Sequence, residues 1–338
     1  MEELYTTSLE LIRWLQDSYP QLLGFMTAVS FFGSEDFYLL IMPLIYWSVN
    51  KRLGHYLGYL FVASLLVNAE MKHLLRGPRP FWLDPTIAAH GAAEQGVEHQ
   101  YGIPSGHTQN TAVLLFFLAS RFRKAWGWLI AIIAVALMML SRLYLGLHFL
   151  QDLAGGLFIA SVLLFVYWLW QRYGVARVGK QIFGRRLLWA TTPPVILLTL
   201  YVIILFILGT PETAVSWSEF IPGAELESYK IIALAFGAFL GFAIGILFEA
   251  RDVRFRVEGV WWQRLLRFVV GLAGMVLFWR GLALIFPTEP TWLMLIFRAL
   301  RYFITVFWVA YLAPMLFVRL GLAQADPKPE ISIKSWES

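Results

Sequence analysis

The chain contains no cysteine. Disulfides, thiolate zinc sites and cysteine nucleophiles are excluded, and the redox compartment is left open. Charge is also scarce. Asp, Glu, Lys and Arg make up 14% of the 338 residues, against about 25% in a soluble globular protein. No carboxylate cluster and no paired-histidine motif of the metal-binding kind occurs, so neither metal nor cofactor is expected. The opening stretch MEELYTTSLELIRWLQDSY lacks the basic and apolar regions of a cleaved signal peptide.

What the chain has instead is apolar length. It is 59% hydrophobic, its mean hydropathy is +0.65, and long apolar runs recur throughout. In lipid every backbone polar group must be satisfied internally, so such runs are helices. A barrel would show short alternating strands, and these runs are continuous. The expected fold is therefore all-α, a polytopic transmembrane helical bundle. The net charge of +5 is dispersed over segment ends, which marks membrane orientation and not nucleic-acid binding.

Residues 3–18 read as an amphipathic helix at the interface, with Leu4, Leu9, Leu11, Ile12 and Leu15 apolar. Residues 21–49 suit one crossing over 31–49 with 21–30 re-entrant or interfacial, or else two short crossings. Eight further spans fall near 53–72, 105–121, 125–142, 149–171, 187–208, 229–249, 262–286 and 291–318. About nine spans are thus expected. Gly237, Gly241 and Gly245 make a small-residue ladder that lets another helix approach closely. Arg280, Arg298 and Arg301 lie inside apolar segments and should face protein or water.

The loops alternate in charge. Those near Lys51–Arg52, Arg121–Lys124, Arg172–Arg186 and Arg251–Arg264 are basic, which places them in the cytoplasm. The loop 73–104 and the turn 142–148 fall on the opposite side, yet they carry Arg76, Arg79 and Arg142. Charges that break an orientation bias need another reason to be there.

Three stretches supply one. KHLLRGPRP brings Lys72 and Arg79, PSGH runs from Pro104 to His107, and SRLYLGLHFLQD brings Arg142, His148 and Asp152. Each lies where a helix meets the outer interface. Singly each has a plain structural explanation: snorkelling cations, a helix start, a structural His–Asp pair. Together they describe a phosphate site. Arg offers a planar fork and Lys a point charge. The PSGH segment opens a helix, where free backbone N–H groups suit an anion; Gly106 allows close approach and Ser105 adds a hydroxyl donor. His148 and Asp152 are four residues apart, on one helical face. The carboxylate can fix the imidazole tautomer, leaving the other nitrogen to attack phosphorus. His107 can protonate the leaving oxygen and then activate water. Lys72, Arg79 and Arg142 would supply the charge that Mg²⁺ often provides.

The pattern K-x₆-R-P, P-S-G-H and S-R-x₅-H-x₃-D resembles the type 2 phosphatidic acid phosphatase superfamily over roughly residues 20–171, with Gly146 two residues before the last histidine. The resemblance implies metal-independent dephosphorylation through a phosphohistidine. His148 would be the nucleophile, Asp152 its orienting partner and His107 the acid/base; Lys72, Arg79, Ser105, Gly106 and Arg142 would hold the phosphoryl oxygens. Residues 68–82 look like the glucose-6-phosphatase branch, and GSEDFYLLIMPLIYW looks like both that branch and the sphingosine-phosphate phosphatases.

These observations divide the chain into a phosphatase core, residues 1–172, and a C-terminal transmembrane extension, 173–338, expected to shape the substrate cavity. The leading expectation is a membrane phosphatase of a plasma or inner membrane. It would act on the non-cytoplasmic face on a lipid phosphate such as phosphatidic acid, sphingosine phosphate or an isoprenyl pyrophosphate. A sugar phosphatase would need polar groups from loop 81–103, which offers Asp84, His90, Glu94, Gln95, Glu98, His99 and Gln100. A transporter or scramblase that kept the site only for binding would need the cations but not the histidines.

Overall fold

The structure is a computed structural model, and it describes residues 2–92 and 97–327. Glu94 and Gln95 lie outside the described residues. All regular structure among the described residues is helical, apart from one isolated bridge between Phe255 and Ala325. The helices are α1 (Glu2–Ser18), α2 (Leu23–Phe31), α3 (Glu35–Leu44), α4 (Lys51–Leu75), α5 (Pro80–Leu83), α6 (Gly106–Phe122) and α7 (Ala125–Tyr144). They are followed by α8 (Leu150–Leu169), α9 (Val175–Gly179), α10 (Phe183–Leu208), α11 (Ile221–Phe248), α12 (Trp261–Ile285), α13 (Thr291–Phe307) and α14 (Ala313–Arg319). Wider π turns extend α3, α8, α11 and α13 at their C-terminal ends.

Among the described residues, six helical stretches are long and apolar enough to cross a membrane: Ala125–Tyr144, Leu150–Gly179, Phe183–Leu208, Ser218–Val253, Trp261–Ile285 and Thr291–Arg319. The pair Pro20–Phe31 and Glu35–Val49, bent by 43°, makes a seventh if it is a single span. The nine expected spans are not reached on length and composition. The shortfall has a physical cause. α4 carries Asn68, Glu70, Lys72 and His73, which interrupt its apolar character, and α6 is only 17 residues long and opens with the polar run His107–Thr111. Polarity in α4, and short length together with polarity in α6, make these helices poor spans.

The described residues divide into two compact units. One is drawn from Met1–Tyr38, Val67–Leu164 and Leu200–Ile231, the other from Leu39–Leu66, Phe165–Thr199 and Ile232–Ser338. In the first unit, α1 forms where the amphipathic pattern indicates. Its stripe packs against protein: Ile12 is fully buried with Ile87, Leu143 and Leu153, flanked by Leu9, Leu11 and Leu15. Gln16 donates to the carbonyls of Ala88 and Tyr144, and Arg13 pairs with Asp84. Leu4 and Trp14 stay exposed.

In the second unit the glycine ladder does what its spacing suggests. A Cβ on Gly237 or Gly241 would fall 2.0 or 2.4 Å from the carbonyl oxygens of Ala299 and Phe303, so α11 and α13 pack backbone to backbone. Arg267 is fully buried and donates to the carbonyls of Trp47, Arg256, Val257, Glu258 and Gln263. Arg280 lies over the Trp279 ring, and Arg298 and Arg301 lie over Tyr302. The Trp279 indole donates to the Tyr302 hydroxyl, which joins α12 to α13.

Candidate active site

Every side chain singled out from the three motifs lies in the first unit. Helix ends and turns bring them there. Lys72 sits in the last turn of α4, and Arg79 is the residue before α5, whose first residue, Pro80, has φ preset for a helix start. Ser105 caps α6; its hydroxyl accepts from the Thr108 amide, leaving Gly106 and His107 in the first turn. Arg142 lies in the last turn of α7. Gly146 then turns the chain back at φ +69°, where a Cβ would come within 2.7 Å of the Ala88 carbonyl oxygen, so glycine is required. That turn delivers His148 just before α8, with Asp152 in the first turn of that helix.

The histidine and carboxylate meet as their spacing suggests. His148 Nδ1 is 3.2 Å from Asp152 Oδ2, and the Phe149 amide donates to the same oxygen at 2.9 Å. The Asp152 carbonyl accepts from the Ser105 amide at 2.9 Å, tying the second motif to the third. Close packing maintains this contact. A Cβ on Gly156 would lie 2.6 Å from the Ser105 carbonyl oxygen, and one on Gly102 would lie 2.9 Å from Asp152 Oδ2.

The cations are held by backbone carbonyls. Lys72 Nζ donates to Tyr101 O and Gly102 O, both at 2.9 Å. Arg79 donates from Nε to Gln100 O at 2.6 Å, from Nη1 to Leu147 O at 2.8 Å and from Nη2 to Tyr101 O at 3.4 Å. Arg142 Nη1 donates to the Ser30 hydroxyl at 2.6 Å. Lys72, Arg79 and Arg142 are 8%, 1% and 0% exposed, which takes them out of bulk water, and Asp152, 1% exposed, is the carboxylate that acts on Lys72 and Arg79. Burial lowers the Arg79 guanidinium to about 10 against the opposing pull of Asp152, so it stays charged at neutral pH. Burial first, then Arg79, Lys72, Arg142 and His107, hold the His148 imidazole well below its usual range. That histidine is neutral at pH 7, with a lone pair on Nε2 if Nδ1 carries the proton toward Asp152. His107 presents a buried Nε2 that makes no hydrogen bond.

Sequence reasoning missed the groups that aim these side chains. The carbonyls of residues 100–102 have no residue-type signature, because every residue carries one. Asn68 donates to Gln109 Oε1 at 2.9 Å and to Pro104 O at 3.3 Å, bracing the PSGH turn from α4. Polar residues buried beside a motif were the available signal. The loop offered for a sugar pocket is partly used in structure: Asp84 binds Arg13 and Thr86, and His99 lies against Gly223.

Residues 52–176 match the PAP2 superfamily, and residues 233–325 match the PAP2 superfamily phosphatase, transmembrane extension. The chain is 29% identical over 138 residues to mouse (Mus musculus) sphingosine-1-phosphate phosphatase 2, covering 39% of this chain and 38% of that protein. It is 30% identical over 156 residues to lipid phosphate phosphatase delta of Arabidopsis thaliana, covering 43% and 37%. Phosphatidylglycerophosphatase B of Bacillus subtilis is 27% identical over 160 residues, covering 44% and 74%. The chain thus spans less than two fifths of the mouse and Arabidopsis relatives. No solved structure gives a significant match. All three motifs fall inside the first matched segment and the apolar helices α12 and α13 inside the second, so the chain belongs to the PAP2 superfamily as an integral membrane member that also carries the superfamily's transmembrane extension.

Proposed function

We propose that the protein is a membrane phosphatase that hydrolyses a phosphate monoester or pyrophosphate of a lipid through a phosphohistidine, without a metal. The observation that carries this reading is the site's composition: three buried basic side chains, Lys72, Arg79 and Arg142, gather around a neutral histidine and its carboxylate partner, Asp152. A phosphate dianion offsets that positive charge, and a transporter would need no buried His148–Asp152 pair to bind one.

In this reading the phosphoryl oxygens take hydrogen bonds from Lys72, Arg79 and Arg142, the Ser105 hydroxyl and the first amides of α6, with Gly106 leaving room. His148 Nε2 attacks phosphorus as the bond to the leaving oxygen breaks, and His107 protonates that oxygen. Asp152 holds the Nδ1 proton and stabilises the cationic phosphoimidazole. His107 then takes a proton from water, which attacks phosphorus, releasing inorganic phosphate and restoring His148.

The names of the similar proteins favour a sphingoid, glycerolipid or isoprenyl phosphate over a sugar phosphate. We extend the proposal to membrane placement. α4 and α6 also cross, giving nine spans, with α1 at the interface, the membrane a plasma or inner membrane and the site on its non-cytoplasmic face. The core within residues 1–172 carries the chemistry, and the remainder shapes access for the lipid.

The test is phosphate release by purified protein in detergent with a chelator present. The panel is phosphatidic acid, sphingosine 1-phosphate, an isoprenyl pyrophosphate and glucose 6-phosphate. Release from a lipid that His148→Ala abolishes is expected. Release from the sugar phosphate alone overturns the substrate class. Activity that disappears with chelator and returns with Mg²⁺ overturns the metal-free mechanism.

A further inference from the structure

A second polar cluster lies in the same unit as the site and is built around Glu225 in the first turns of α11. Glu225 Oε2 is 3.0 Å from His73 Nε2, and Oε1 is 3.3 Å from Arg76 Nε. The Tyr101 hydroxyl donates to Oε1 at 2.8 Å. On the other side of the His73 ring, Nδ1 is 2.7 Å from the Tyr201 hydroxyl of α10. Glu225 and Tyr201 fall between the two matched segments, 52–176 and 233–325, so membership of the superfamily assigns them nothing.

The cluster touches the phosphate site through one residue. Tyr101 is fully buried, with its ring against Trp82 and Trp217 and its hydroxyl on Glu225. Its own carbonyl accepts from both Lys72 and Arg79, and the carbonyls on either side, of Gln100 and Gly102, accept one bond each from the same two cations. Three consecutive carbonyls therefore aim two cations, and the side chain of the middle residue is anchored on Glu225. The same carboxylate grips the end of α4 through His73, next in sequence to Lys72, and through Arg76. We propose that Glu225 is a positioning residue for the phosphate site: through Tyr101 and His73 it sets where Lys72 and Arg79 meet the phosphoryl group.

This rests on the lipid-phosphatase reading but is separable from it. Tyr101→Phe keeps the ring and removes only the hydroxyl; Glu225→Gln keeps the shape and removes the charge. For each, the measurements are kcat and KM on the lipid phosphate that wild type hydrolyses, the inhibition constant of inorganic phosphate, and the melting temperature. Tyr101→Phe is expected to lower kcat/KM about tenfold and to weaken phosphate inhibition by a similar factor, the size expected for one hydrogen bond to a charged group. Melting should change little. The double variant should be no worse than the more damaging single one, because both break one link. A lower melting temperature with unchanged phosphate affinity and kcat per folded molecule would make the cluster merely structural and overturn the proposal. So would fully additive losses. If wild type hydrolyses nothing, the function reading fails, and binding of inorganic phosphate to wild type and Tyr101→Phe still decides the positioning claim.

Discussion

Replacing Asp152 with Asn isolates the electrostatic part of the proposed chemistry. One carboxylate oxygen, Oδ2, accepts from both the Phe149 amide and the His148 ring. An asparagine oxygen in that place keeps both bonds and the local shape, so only the charge is lost. At 3.2 Å and 1% exposure the carboxylate is scarcely screened by water. With an effective dielectric of ~20, a full charge at that range is worth about 5 kcal/mol, and ~3 kcal/mol when the positive charge is spread over the imidazole ring. The transition state carries only part of that charge, so a loss of roughly 2–3 kcal/mol is expected, on the order of a hundredfold in kcat. KM should move less, because the proposed mechanism assigns phosphate binding to Lys72, Arg79 and Arg142. The assay is steady-state phosphate release by Asp152→Asn with its melting temperature recorded. A kcat within threefold of wild type, from a normally folded variant, would refute the assignment of Asp152 as the stabiliser of a cationic histidine.

The pH profile gives an independent check. After burial, Arg79 is the largest influence depressing His148. Removing that like charge favours the protonated ring, so in Arg79→Gln the acidic limb of kcat/KM should move up toward about 6.5 while the rate falls. A limb that stays put or moves down contradicts the electrostatics. Arg267→Met should lower stability by about 3 kcal/mol, because five carbonyls lose a charged donor. Turnover per folded molecule should not change, since the proposed site lies in the other unit; a loss of kcat at unchanged melting temperature would be wrong for this picture. The absence of native cysteine allows clean labelling. Glu98→Cys should react with an impermeant reagent from outside intact cells and Glu258→Cys should not, and the reverse pattern would invert the proposed orientation.

How far the sequence alone reached depends on what kind of group does the work. His148, Asp152 and His107 were legible because imidazole and carboxylate have side-chain chemistry that few apolar segments tolerate. Gly146 and the ladder at Gly237 and Gly241 were legible because their spacing is geometric. The carbonyls of residues 100–102 were not, since backbone groups carry no residue identity. Glu225 was hidden by distance in the chain: nothing local links it to Tyr101. The helix α1 was legible but its neighbours were not, because an amphipathic stripe looks the same whether lipid or Ile87, Leu143 and Leu153 cover it. The polarity that revealed α4 and α6 as site-bearing helices, together with the 17-residue length of α6, kept them from qualifying as spans.

The central claim is that phosphate passes through His148, and the phosphorylated enzyme tests it most directly. Protein quenched during turnover of the lipid phosphate it hydrolyses best should be denatured in alkali, where phosphohistidine survives, and mapped by mass spectrometry. A phosphoryl group on His148, absent from His148→Ala, is the predicted result. Sustained turnover with no phosphohistidine, or with the phosphoryl group on another residue, would contradict the mechanism proposed for this site.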